Sequence, residues 1–349
     1  MSFTSTTTTN LRVGSSPVSR APQRLLSGIT PSGSLTLGNY LGALKRFVDG
    51  QRDHEGFFFV ADLHALTTHH DPGRLRDLTV ETAALFFAAG LDPSHSTVFL
   101  QSHVPAHVQL SYLLESTAHV GELARMIQFK EKGGRPQTRA SLFTYPCLMA
   151  ADILLYETGF VPVGGDQSQH VELARDLAVR FNRLYGPTFV VPELAPAMLA
   201  ARVTDLSHPE VKMNKSAEPS AIGVIRMLDS PDLIVRKMNR AVTDSDGEVR
   251  YDPAVKPGVS NLLDILAAVS GERPVELATR FSSYGELKKA CGEAVIAALG
   301  PIQRRHAELM ADRPTLDAML REGVARARSV AEPVLARAQT AMGLVSPIG

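Results

Sequence analysis

The stretch RLLSGITPSGSLTLGNYLGALKRF, residues 24–47, decides the fold. Its first six residues form a short apolar run of the kind a buried strand shows, while Tyr40, Leu41, Leu44 and Phe47 recur at helical spacing. A loop of Gly, Ser and Pro lies between them, so the segment reads as strand, loop and helix start. Gly33 and Gly38 let the backbone approach a flat ring or a phosphate with no Cβ in the way. The helix N-terminus offers free N–H groups and the positive end of its dipole to an anion.

The same alternation continues outward from this unit. Residues 56–61, 97–101, 160–163 and 188–191 read as further buried strands, and residues 39–52, 72–89, 107–116 and 167–184 as amphipathic helices. Strands alternating with helices predict an α/β fold built on a doubly wound, parallel, Rossmann-like sheet, with ligands at the carboxyl ends of the strands. Residues 121–158 break the alternation with helical sequence only, split by GGRPQTR at 133–139, and read as a helical insertion. Beyond Ser216 the pattern is helical throughout, over residues 229–242, 260–269, 275–281, 284–299 and 315–342. The expected organisation is a disordered Ser/Thr-rich tail at 1–22, a Rossmann-like catalytic domain at 23–216 with the insertion at about 121–158, and an all-helical, tRNA-binding domain at 217–349.

Composition excludes several classes. The 36 basic and 36 acidic residues cancel, so any nucleic-acid surface must be local. Cys147 and Cys291 lie far apart and outside any metal-binding spacing, which predicts two small buried side chains in helices rather than a disulfide or a zinc site. No apolar stretch approaches the length of a membrane span, and the tail lacks the hydrophobic core of a signal peptide, so a cytoplasmic protein is expected.

Two more segments carry chemistry. VKMNKSAEPS, residues 211–220, sets Lys212 and Lys215 in one short loop, where two ammonium groups can follow the charge of a polyphosphate during reaction. In TYPCLMAADILLY, residues 144–156, Tyr145, Met149 and Asp152 are spaced i, i+4, i+7 and share one helix face. An aromatic ring and a thioether make a wall for a flat ligand, and a carboxylate one turn on can accept an N–H. The other reading is a core stripe with a paired Asp, since a buried carboxylate without a partner is costly.

Jointly, the Thr30 and Lys212 segments resemble the HIGH-type and KMSKS-type signatures of class I aminoacyl-tRNA synthetases, here ending TLGN and reading KMNKS. The blocks VADLHALT, QSHVPAHVQL, GELARMIQFKEK, TYPCLMAADILLY, VPVGGDQSQHVELARDLAVRFN, AVTDS and KPGVSNLL each look like the matching stretch of bacterial tryptophanyl-tRNA synthetases, from about Leu25 to the C-terminus. The resemblance implies ATP, L-tryptophan and tRNA(Trp) as substrates, Mg²⁺ carried on the ATP phosphates, and a homodimer. It assigns Thr30, Pro31, Ser32, Gly38 and Asn39 to ATP at the first signature. It also assigns Val203, Lys212, Met213, Asn214, Lys215 and Ser216 to ATP at the second, and Gly164, Gly165 and Asp166 to the ATP ribose. Asp152 receives the indole N–H, with Tyr145, Met149, His64 and Gln167 around the amino acid. Lys212, Lys215, Asn39 and Lys132 act on the reacting phosphates.

Three positions depart from the family pattern. Thr30 stands where Gln is common, Asn214 replaces the middle Ser of KMSKS, and Gly165 replaces the Glu of GEDQ. They bear on affinity and analogue selectivity rather than on reaction type. Arg304, Arg305, Arg326, Arg328 and Arg337 are the basic candidates for RNA contact on the helical region. Two alternatives stand beside the ligase reading: an accessory, analogue-tolerant or RNA-binding paralogue, and a nucleotidyltransferase of the same superfamily acting on a small molecule.

Overall fold

A computed structural model describes residues 24–161, 168–194, 203–215, 217–218 and 220–345. Five strands, β1 (Arg24–Ile29), β2 (Glu55–Val60), β3 (Ser96–Leu100), β4 (Phe160–Val161) and β5 (Glu193–Leu194), form one sheet in the order β3-β2-β1-β4-β5. Every pairing is parallel, with Ile29 opposite Val60 and Val60 opposite Leu100. The strand order runs outward in both directions from β1. The crevice of a doubly wound sheet therefore opens at the carboxyl end of β1, where the loop that starts at Thr30 leaves it.

The period of two along each strand divides two cores. Leu26, Phe57, Phe59 and Phe99 face one, and Ile29, Phe58, Val60, Val98 and Leu100 face the other. The first core takes the helix Ala140–Leu155 through Cys147, Ala151 and Leu154. The second is continuous with the C-terminal helices Pro231–Asn239, Pro257–Ser270 and Tyr284–Ala311, through Ile234, Leu262 and Leu287 among others. Cys147 and Cys291 are both fully buried in helices, as expected.

The last helix, Arg313–Ala341, covers the edge strand β3 and closes an edge that would otherwise present unpaired backbone. Leu316 and Leu320 enter one core, and Ala327, Ala331 and Val334 the other. Its approach is close enough to require a glycine, because a Cβ on Gly323 would sit 1.8 Å from the carbonyl oxygen of Val98. Arg326 bonds the carbonyl of Pro93 and Arg337 pairs with Glu157, while Arg328 donates to the carbonyl of His103 at 2.7 Å. Three of the five arginines proposed for RNA thus tie this helix to the sheet domain. Arg305 pairs with Glu308 at 2.7 Å, and Arg304 is exposed.

Two sequence expectations need correction. Residues 188–191 are not a strand. The Asn182 amide takes their backbone groups, accepting from the N–H of Thr188 at 3.0 Å and of Phe189 at 2.9 Å and donating to the Phe189 carbonyl at 2.8 Å, and pairing with β4 begins only at Glu193. The helix expected over 284–299 runs on to Ala311 through Pro301. Ile302 and Leu309 join the same core as Leu299, and that burial outweighs the hydrogen bond a mid-helix proline removes.

Candidate active site

Adjacent strands deliver the site. Thr30 follows β1, His64 lies on the short helix Asp62–Ala65 that follows β2, and Gln101 follows β3. Beyond Thr30 the chain starts a helix capped reciprocally: Thr36 Oγ1 accepts from the Asn39 N–H at 3.2 Å, and Asn39 Oδ1 accepts from the Thr36 N–H at 3.0 Å. The helix then widens into a π-helical stretch, Tyr40–Leu44, a distortion that recurs at functional sites.

The lysine segment is held from both sides. Val203 and Met213 are joined by a hydrogen bond of 3.2 Å, Asp205 donates its N–H to the Val211 carbonyl at 2.8 Å, and Thr204 pairs with Lys212 in a narrow antiparallel ladder. The Asn261 side chain clasps both backbone groups of Thr204, accepting at 2.9 Å and donating at 3.1 Å. On the far side, the Arg226 guanidinium donates to the carbonyls of Ala217 and Glu218 at 3.0 and 2.8 Å. Between these anchors Lys212 and Asn214 are exposed, whereas Lys215 turns inward.

The two signature segments meet, although about 180 residues separate them in sequence. Lys215 Nζ donates to the Thr30 carbonyl at 2.5 Å. A Cβ added to Gly38 would lie 3.4 Å from Met213 Cβ, so the helix start and the lysine loop are in contact. Burial and the nearby charge of Lys212 lower the Lys215 ammonium pKa to about 8. Pro31 is buried and Ser32 exposed on the same loop. Lys132 stands apart on the insertion: it is exposed, donates to Gln128 at 2.8 Å, and borders an open cleft of about 480 Å³ with Thr67, His69, Thr138 and Arg139.

Asp152 lies on the helix Ala140–Leu155 with only 2% of its surface exposed. It is already paired. Its Oδ1 accepts from Gln101 Nε2 at 2.8 Å and His107 Nδ1 at 2.6 Å, and its Oδ2 accepts from His64 Nε2 at 2.7 Å. Burial by itself would raise the carboxyl pKa, but the His107 hydrogen bond and the charge and hydrogen bond of His64 outweigh it and hold Asp152 ionised. Tyr145 and Met149 on the same helix are half-buried. The Tyr145 ring meets His64 edge-on at 6.3 Å, and its hydroxyl lies 2.7 Å from His170 Nε2. Burial pushes that hydroxyl pKa up to about 12, which keeps it neutral.

The fold therefore brings His64 onto Asp152 and Tyr145, with Met149 on the same helix, and joins Thr30 to Lys215 and Gly38 to Met213 at the end of β1. Gly164, Gly165, Asp166, Gln167 and Ser216 lie outside the described residues. Sequence reasoning missed Gln101 and His107, two of the three polar partners of Asp152. Their signal was two polar side chains flanking the strand end in QSHVPAH, where a buried face was due.

Comparisons with known proteins agree with this geometry. The family profile of tRNA synthetases class I (W and Y) matches residues 19–300. Tryptophan--tRNA ligase 1 of Streptomyces coelicolor is 53% identical over 332 residues, covering 93% of this chain and 98% of that protein. The crystal structure of tryptophanyl-tRNA synthetase from Mycoplasma pneumoniae superposes with a TM-score of 0.85 at 36% identity, covering 93% of this chain and 99% of that one. That of Campylobacter jejuni, complexed with ADP and tryptophan, gives 0.79 at 33% identity over 92% of this chain and all 100% of its own. The chain belongs to the class I tRNA synthetases, in their bacterial tryptophanyl-tRNA synthetase branch.

Proposed function

We propose that the protein activates L-tryptophan with ATP to tryptophanyl-adenylate, releasing pyrophosphate, and then transfers the tryptophanyl group to the 3′-terminal ribose of tRNA(Trp). The observation that carries this reading is the clasp of Lys215 on the Thr30 carbonyl, which joins the two signature segments. A carboxylate oxygen of tryptophan attacks the α-phosphorus in line, and the bond to pyrophosphate breaks with its electron pair leaving on the pyrophosphate. Such a displacement asks the protein mainly to position reactants and stabilise developing charge.

Each residue then has a task. Gly38 gives the nucleotide close access to the helix start, and the Asn39 amide, oriented by the Thr36 cap, donates toward the phosphates. Lys212 and Lys215 follow the negative charge as it moves to the departing pyrophosphate, with Lys132 approaching from the insertion. Pro31, Ser32, Val203, Met213, Asn214 and Ser216 line the ATP, and Gly164, Gly165 and Asp166 its ribose. Magnesium belongs to the substrate, carried on the ATP phosphates. Tyr145 and Met149 flank the indole, Asp152 accepts its N–H, and His64 and Gln167 face the amino-acid end. In the second step the terminal ribose hydroxyl attacks the adenylate carbonyl and AMP leaves.

The protein acts as a homodimer in the cytoplasm, where its tRNA is found, with the tRNA bound chiefly by residues 217–349. The dimer reading is supported by the exposed apolar side chains of Val108 and Tyr112, one turn apart on the helix Ala106–Glu115 and 53% and 69% exposed, and by that of Val120 at 73%. Among the described residues no helix is long and apolar enough to cross a membrane. The test is tryptophan-dependent ATP–pyrophosphate exchange followed by charging of purified tRNA(Trp). Exchange without tryptophan, or adenylate that never reaches tRNA, would sink the proposal.

A further inference from the structure

The Asp152 carboxylate is one end of a longer buried chain. His107 has no exposed surface, and its two ring nitrogens are both engaged: Nδ1 with Asp152 Oδ1 at 2.6 Å and Nε2 with the Tyr156 hydroxyl at 2.9 Å. Tyr156 is itself fully buried, its ring packed on Phe57 and Phe99 with centroids 4.8 and 5.6 Å away. Phe59 and Phe99 enclose the imidazole, each at 5.9 Å. Such a network in an apolar core carries a cost unless every group is satisfied, and here the protons can be assigned without conflict.

An ionised carboxylate can only accept, so His107 Nδ1 must carry the hydrogen it shares with Asp152. In the neutral ring Nε2 is then a bare acceptor, and the Tyr156 hydroxyl donates to it. With the imidazole neutral, the chain runs in one direction, from Tyr156 to His107 to Asp152. Its companion Gln101 is fixed in the same sense, because its Oε1 accepts the Leu63 N–H at 3.2 Å and so its Nε2 faces Asp152. Both acceptor positions of Oδ1 are filled by Gln101 and His107, and one of the two on Oδ2 by His64. A carboxylate has about four such positions, which leaves one, on Oδ2, for a donor from a ligand.

We propose that His107 is a specificity-determining positioning residue: by holding Oδ1 of Asp152 from behind, it aims the remaining acceptor of Oδ2 at the N–H of the bound amino acid's ring. The inference rests on the tryptophan-activation reading and deepens it. His107 does not touch substrate. It acts through Asp152, preventing the carboxylate from rotating away or taking up a proton and becoming a donor itself. Either change would let a ring without an N–H bind as well as one with it, since discrimination depends on leaving a fixed, desolvated acceptor unpaired in the wrong complex.

The test compares kcat/KM in pyrophosphate exchange for tryptophan and for the isostere whose ring N–H is replaced by sulfur, using the full chain. Three variants are needed. His107→Asn sets an amide N–H near the reach of Nδ1, His107→Gln sets one near the reach of Nε2, and His107→Leu has neither. The Asn variant should keep the wild-type preference for tryptophan to within about threefold. The Gln and Leu variants should lose about tenfold or more of it. That loss should appear in the KM for tryptophan, with kcat and the constants for the sulfur isostere little moved. A role confined to core stability would lower both amino acids equally and leave the ratio alone, and that result overturns the proposal, as does the same ratio in Asn and Gln. If the Leu variant does not fold, the Asn and Gln pair decides, with Tyr156→Phe, which keeps the ring packing and removes only the hydroxyl, as a further arm expected to reduce the ratio by a smaller factor. Wild-type protein that shows no tryptophan-dependent exchange would instead overturn the activity reading.

Discussion

The ammonium of Lys215 offers the sharpest test of the phosphate-handling surface, because its charge depends on pH in the working range. Burial first and the neighbouring charge of Lys212 second bring its pKa from the ordinary 10.5 to about 8. A lysine titrating there is roughly nine-tenths charged at pH 7 and roughly one-tenth charged at pH 9, a loss of about tenfold in the competent form. Removing one charge-stabilising donor commonly costs about two to three decades in rate, so the neutral form contributes little. The value of kcat/KM for ATP in pyrophosphate exchange at saturating tryptophan, which reports the tryptophan-loaded enzyme before ATP binds, should therefore fall by about tenfold between pH 7 and 9. The control is Lys212→Gln. Removing that charge lifts one of the two causes of the shift, so the alkaline limb should move to higher pH while still lying below 10.5, since burial remains. The position of the limb is what matters, as the variant is also slower overall. Titration of the substrate's own amino group would leave the limb where it was. A limb unmoved in Lys212→Gln, or no limb below pH 10, refutes the argument.

Further outcomes follow from other parts of the molecule. Lys215→Ala should lose about two to three decades of adenylate formation with tryptophan affinity hardly changed, measured by exchange rate and equilibrium titration. Asp152→Ala should lose activity with tryptophan and narrow its preference over rings lacking the N–H, and it also leaves Gln101, His64 and His107 without their acceptor. Thr30→Gln should tighten tryptophan-mimicking inhibitors by more than it lowers the KM for tryptophan, in a paired titration of wild type and mutant; constants that move together would make Thr30 a neutral replacement. Gly323→Ala should destabilise by about 1–3 kcal/mol in urea unfolding despite the better helix propensity of Ala, because its Cβ would stand 1.8 Å from the Val98 carbonyl oxygen. A more stable variant would show that the last helix shifts freely over β3.

Local pattern by itself determined most of the sheet scaffold and marked the two signature segments, whose chemical reading came from their joint resemblance to a known family. β1 was legible to the residue because an apolar run ends at a Gly/Ser/Pro loop, and the lysine loop stood out because two cations share a short stretch between prolines. Local pattern also suggested that Asp152 faces a pocket. It could not supply the partners, for Gln101 and His107 lie 51 and 45 residues away along the chain. Buried polar groups pair with whatever the fold brings within about 3 Å, and sequence spacing carries no record of that. The same limit explains residues 188–191, whose β-like composition yields to an Asn182 side chain contributed by the preceding helix, and Pro301, whose helix-breaking tendency yields to the burial of Ile302 and Leu309. Composition and spacing state what a segment prefers within a few residues; the tertiary structure decides which preferences are overruled, because desolvation and close packing act between groups that only folding makes neighbours.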